Sequence, residues 1–201
     1  MDPDLEYLYF QLSPELQALY DALVYTDEDI EELAQILYEQ KLLAYEAGLL
    51  ELSQEFGENE EVDEAKAAWI LLQAREEAAG IAETFANDLL RFLYKLNQED
   101  VDEEELESRV TFWNTQRSAY KNPMIALHNI LEWAAKAIVA YFVARPHLPA
   151  YAELLPKVPV VCEVCQYYVG IGKVPLSSVI DVIADWPPHL NCIHSWKVTR
   201  L

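Results

Sequence analysis

Residues 71–96, LLQAREEAAGIAETFANDLLRFLYKL, decide the fold class. Leu71, Ala74, Ala78, Ile81, Phe85, Leu89, Phe92 and Leu96 recur at spacings of three and four. That spacing lays one continuous apolar stripe along a helix. Extended to its polar start, the pattern predicts a helix over about 63–96, about 50 Å long at 1.5 Å per residue. Ala65, Ala67, Ala68, Ala74, Ala78, Ala79 and Gly80 make its first half narrow enough for close packing. The stripe reads as core rather than as a cofactor site. Upstream, Thr26-Asp27-Glu28-Asp29 carries a helix start, with Thr26 as cap and acidic residues at the positive end of the helix dipole. Ile30, Leu33, Leu37 and Ala44 mark an inner face, and Gly57 supplies a stop. Helices over 27–56 and 63–96 predict a long antiparallel hairpin.

Further helices flank it. Ser13-Pro14-Glu15 starts one that runs to about Tyr25, with Ser as N-cap and Pro in the first helical position. Ahead of it, Tyr7, Leu8, Tyr9 and Phe10 are too apolar for a loose tail, and are expected to pack on the core rather than on a partner. The acidic run 98–107, QEDVDEEELE, lacks the glycine turn of a calcium loop and reads as a solvated helix start. Leu106, Val110 and Trp113 share one face of the helix that follows. Asn122-Pro123 is expected to stop that helix near Lys121 and cap a new one from Met124 to Arg145. Met124–Arg145 is long enough to span a bilayer, but His128, Glu132 and Lys136 fall four apart as a polar stripe. The expectation is a buried helix with one wet edge and no membrane span.

The chain holds 35 acidic and 14 basic residues, a net charge of −21, and is 52% hydrophobic. It is expected to fold. Such a balance disfavours binding to phosphate backbones, which takes Lys and Arg to displace counterions, and docking on anionic membranes. It suits a basic protein partner or solubility in a crowded assembly. Cysteines are odd in number, three in all, and no charged-then-apolar leader opens the chain. A disulfide-built secreted domain is therefore not expected.

After Arg145 the composition changes. Pro146, Pro149, Pro156 and Pro159 forbid a long helix, so a helical domain of 1–145 is expected to give way to a C-terminal module of 146–201. Val158–Val161 and Gln166–Val169 look β-prone, Val179–Ile183 suits either a short helix or a strand, and Trp196–Leu201 reads as a final strand. Within this module lies CEVCQYYVGIGKVPLSSVIDVIADWPPHLNCIH, residues 162–194, with all three cysteines and two of the four histidines. Cys162 and Cys165 form a C-x-x-C knuckle, and His189 and Cys192 repeat the spacing as H-x-x-C. Two close pairs separated by a loop is the usual build of a structural zinc site. His194 is a fifth candidate and a rival to His189. Gly170 and Gly172 permit a turn after the first pair, and Pro187 and Pro188 stiffen the approach to the second. A Cys162–Cys165 disulfide and plain buried thiols are the competing readings. The module's apolar core looks too small to stand alone, and a zinc ion would add about 10–16 kcal/mol of apparent binding energy.

The sequence C-x-x-C, Gly-rich turn, P-P-H-x-N-C-x-H resembles the C-terminus of the Mu-type head morphogenesis family, the minor head proteins of tailed phages. Matching positions are Cys162, Cys165, Gly170 or Gly172, Pro187, Pro188, His189, Asn191 and Cys192. Leu190 departs from the family's usual Pro, and Ile193-His194 from its usual Arg-Cys. The match covers about 35 of 201 residues. The resemblance implies a virion structural protein near the portal vertex, present in the host cytoplasm during assembly. It also implies multiple copies, contacts with portal or capsid proteins, and no enzymatic activity.

Three other classes use the same residues. A cellular zinc-ribbon adaptor for one protein partner is the first. His189, Asn191 and His194 faintly suggest an H-N-H nuclease, but the tail offers only Lys157, Lys173, Lys197 and Arg200 to hold a polyanion. A Cys-His hydrolase using Cys192 or Cys165 lacks a visible activating environment. The expectation is therefore a mainly α protein with no catalytic residues. It comprises a long helical hairpin, further helices and a small C-terminal α+β zinc-knuckle-like module.

Overall fold

The computed structural model describes residues 3–99, 101–156, 162–189 and 192–200. Helices dominate: α1 (Pro3–Phe10), α2 (Pro14–Leu23), α3 (Asp27–Phe56), α4 (Glu64–Glu99) and α5 (Glu103–Val143). Their ends follow local chemistry. The Ser13 hydroxyl accepts the Leu16 N–H at 3.3 Å. Thr26 and Asp29 cap each other reciprocally: the Thr26 N–H donates to Asp29 Oδ2 at 2.8 Å, and the Asp29 N–H to the Thr26 hydroxyl at 3.2 Å. Asp102 accepts the Glu105 N–H at the start of α5. Gly57 ends α3 with φ of +76°, a conformation that strains any residue with a Cβ.

Packing divides the chain into two compact units. The first joins residues 1–38 to 71–119. Its core is a cluster of Leu5, Leu12, Leu16, Tyr20, Phe85, Leu89, Leu90, Leu93, Leu96 and Val110. Leu8 and Tyr9 pack against that core, while Tyr7 and Phe10 stay exposed. Arg75 grips the Glu31 carboxylate through Nε and Nη2, at 3.2 and 2.6 Å. Trp113 stacks on Phe92 at 5.2 Å, and Arg117 pairs with Asp88, which sets α5 antiparallel to α4 here.

The second unit holds residues 39–70 and 120–201. Here Tyr45 meets Trp133, Gly48 meets Ala137 and Phe56 meets Phe142, so α3 and α5 run the same way. A Cβ on Gly48 would lie 2.9 Å from that of Ala137, so the glycine permits the close approach. Lys66 lies over Tyr45. Lys41, only 2% exposed, donates to the fully buried Asn129 at 3.2 Å and lies over Trp133. The polar stripe on α5 takes the form of a Glu132–Lys136 pair at 2.7 Å, with Lys136 also over the Trp133 ring. Among the described residues no helix is long and apolar enough to cross a membrane.

The expected break at Asn122-Pro123 is absent: α5 runs unbroken from Glu103 to Val143 with Pro123 inside it. Pro123 lacks the N–H that would have bonded the Ala119 carbonyl, and the division between the two units falls at Ala119–Tyr120. The helix continues because both flanks are held by packing, through Val110 on one side and through Leu131, Trp133 and Ala137 on the other.

Beyond Arg145, whose guanidinium holds Glu58 and Glu60, comes the small α+β module. Strand β1 (Ala150–Leu155) is central in an antiparallel sheet of order β2-β1-β3, with β2 at Val174–Pro175 and β3 at Ser195–Arg200. The register places Ala152 opposite Val198 and Leu154 opposite Trp196. Alternate residues Ala150, Ala152 and Leu154 are buried, so one sheet face is core. Helix α6 (Glu163–Ile171) follows β1, and α7 (Ile180–Ala184) follows β2 after a single 3-10 turn at Leu176–Ser178. The β-prone reading of Gln166–Val169 is thus corrected to helix. Cys162 stands at its N-cap and Gly172, at φ of +66°, closes it, and these ends bound a helix too short for its period to show in sequence. Val158–Val161 lies outside the described residues. The Arg200 guanidinium donates to the Phe56 carbonyl and its N–H to Glu55 at 3.0 Å, so the final strand closes on the C-terminal end of α3.

Candidate metal centre

Three parts of the module bring the cysteines and histidines together. Cys162 precedes α6 and Cys165 sits in its first turn, where the Gln166 N–H bonds the Cys162 carbonyl at 2.9 Å. The second pair is set by a turn in which the Cys192 N–H bonds the His189 carbonyl at 3.0 Å. His194 leads directly into β3, and its carbonyl accepts Trp186 Nε1 at 2.9 Å. Trp186 in turn packs edge-on against Tyr168 and Trp196. This aromatic wall is part of the site, and no spacing rule points to it. The only local sign is the Trp186-Pro187-Pro188 run, where the Trp186–Pro187 peptide is cis.

Donor atoms fall into two overlapping groups, each within 4.8 Å: Cys162, Cys165 and His189, and Cys165, Cys192 and His194. Cys165 belongs to both. The Cys165 and Cys192 sulfurs are 3.6 Å apart, and Cys192 Sγ is 3.8 Å from His194 Nδ1. A tetrahedral ion with metal–sulfur bonds of about 2.3 Å has sulfur–sulfur edges of about 3.8 Å. The observed spacing is close enough for the two sulfurs to share one metal ion. It is far longer than a disulfide, and all three cysteines are free.

The donors differ in exposure. Cys165, Cys192 and His194 are 0%, 1% and 4% exposed. Cys162 is partly buried and His189 is exposed. Burial first, and then the neighbouring Cys192 and Cys162 sulfurs, pushes the Cys165 thiol well above its ordinary range. Gathered thiols of this kind ionise together only beside a cation. His194 Nε2 is buried with no hydrogen-bond partner among the described residues. On these grounds the residues fit a metal ion. All five residues singled out from the sequence are brought together, in two sets of three.

Against known proteins, the chain matches no family model, no curated protein and no solved structure. The likeness to phage head proteins therefore rests on the motif residues of 162–194 alone.

Proposed function

We propose that the chain is a non-enzymatic, protein-binding structural component whose C-terminal module is braced by Zn²⁺. The carrying observation is the convergence of Cys162, Cys165 and Cys192 with histidine donors in a mostly buried cluster. A thiolate-rich, borderline-soft donor set selects zinc over hard cations such as Mg²⁺ or Ca²⁺. Four protein donors leave no position for a reacting water, so the ion's contribution is a cross-link between the start of α6 and the approach to β3. The C-terminal motif supports placing this component in a tailed-phage virion as a minor head protein near the portal vertex. There it would be present in several copies, against portal or capsid proteins. The excess of acidic residues supports a partner surface that is basic protein rather than nucleic acid or membrane.

Two measurements test this. Protein purified without chelator should carry one equivalent of zinc by elemental analysis; iron or no metal defeats the zinc assignment. Quantitative mass spectrometry of gradient-purified particles from the source should find the chain at a fixed ratio to the portal or capsid subunit. Particles that lack it defeat the virion role. The second reading, a cellular zinc-ribbon adaptor with a single protein partner, then moves to first place.

A further inference from the structure

Five donors fall in two sets of three that share Cys165, a tetrahedral ion takes four, and the two histidines are not equivalent. His189 is exposed, and its ring lies with Cys162 and Cys165 in the less buried of the two sets. His194 is 4% exposed and lies among Cys165 and Cys192, which are buried as completely. Its carbonyl is pinned by Trp186, so the ring has little freedom to leave. As an ordinary core histidine it would be badly served. Nδ1 meets only a sulfur at 3.8 Å, and Nε2 meets nothing among the described residues. Buried imidazoles normally have partners for both nitrogens, because an unmet one costs about 1–3 kcal/mol.

We infer that His194, not His189, completes the metal set, giving a closed Cys162–Cys165–Cys192–His194 centre for a tetrahedral, thiophilic divalent ion. The inference rests on the zinc reading above. Cys192 and His194 then act as a C-x-H pair, adjacent to strand β3, and bind the ion from the sheet side. Cys162 and Cys165 bind it from the first turn of α6. His189 stands outside the set at its exposed edge.

The test uses the full chain with Co²⁺ as the probe, because ligand-field and thiolate charge-transfer bands report donor number and type. The wild type and His189→Ala should both take one equivalent and give the same three-sulfur, one-nitrogen tetrahedral spectrum. His194→Ala should bind more than about 100-fold more weakly, beyond the loss typical of an outer partner. Since that variant risks misfolding, His194→Cys is the deciding one. It should regain tight binding, with stronger sulfur charge-transfer bands than the wild type, which a merely structural histidine would not produce. Loss of binding in His189→Ala with retention in His194→Ala overturns the assignment while leaving a metal site in place. So does a His194→Cys protein that binds no better than His194→Ala. A wild type that takes neither Co²⁺ nor Zn²⁺ overturns both this inference and the zinc reading beneath it.

Discussion

Leu89, Leu90 and Leu93 on α4 and Cys165, Cys192 and His194 in the C-terminal module are buried to nearly the same degree, between 0% and 4% exposed. Their burial has opposite consequences. Each leucine contributes about 1.5–3 kcal/mol by leaving water and needs nothing from its neighbours but shape. On the zinc reading, the thiols and the imidazole lose solvation and are compensated by the ion that joins them. One core is redundant, since about ten apolar side chains share the work in its cluster. On the zinc reading the other is conditional, because a few donors must all be present at once. The difference teaches that equal burial is no guide to equal tolerance of mutation.

The largest expected effect should separate the two regions cleanly. Cys165→Ser, or stripping the ion with a strong chelator, should abolish stoichiometric metal and open the module after Ala150 to protease. The helical circular dichroism should stay nearly unchanged. A structural zinc ion there would contribute on the order of 10–16 kcal/mol of apparent binding energy. Unaltered protease resistance in both cases would mean the module does not depend on metal, and the contrast would collapse. Leu93→Ala should act the other way, costing about 2–5 kcal/mol in chemical denaturation of the helical core. Metal content should hold at the wild-type level. Parallel loss of metal would show that the two regions do not fail separately.

Smaller effects sharpen the picture within the helices. Gly48→Val should cost roughly 1–3 kcal/mol, because Ala137 occupies the space its side chain needs; an unchanged denaturation midpoint would remove the close approach of α3 and α5. Ser13→Ala should cost about 1 kcal/mol by releasing the Leu16 N–H. The smallest effect concerns pH. The Thr26 hydroxyl and N–H hold the Asp29 carboxyl below its usual range. Its contribution is therefore present above the unfolded-state value and is lost as pH falls through the lower folded-state value. Denaturation midpoints should decline on acidification slightly less in Asp29→Asn than in the wild type; identical slopes would show that the cap carries no pH dependence.

Much of this is legible in the amino-acid sequence, and what is not has a physical cause. The helices of the hairpin emerged at 27–56 and 64–99 because repeated spacing over many turns leaves no other regular structure to bury the stripe. Caps at Ser13 and Thr26 and the stop at Gly57 were readable because each depends on one or two neighbouring residues. Pro123 misled because its local penalty of about 3 kcal/mol is outweighed by packing on both sides of it, which no local rule counts. Lys41 was invisible for the same reason. Its partners Asn129 and Trp133 lie on a different helix, and only their arrival makes a buried lysine tolerable. At the site, spacing alone picked out Cys162, Cys165, His189, Cys192 and His194, because metal donors must come in close pairs. It could not rank the histidines, nor foresee α6 or Trp186.

By itself, then, the sequence determined the periodic helices, their caps and the set of five candidate donors, since all of these follow from contacts within a few residues along the chain. Tertiary structure alone decided the continuity of α5, the burial of Lys41, the sheet order β2-β1-β3 and the enclosure of His194 with exposure of His189. Those outcomes depend on which distant side chains exclude water from which groups, and that competition is settled only when the whole chain has packed.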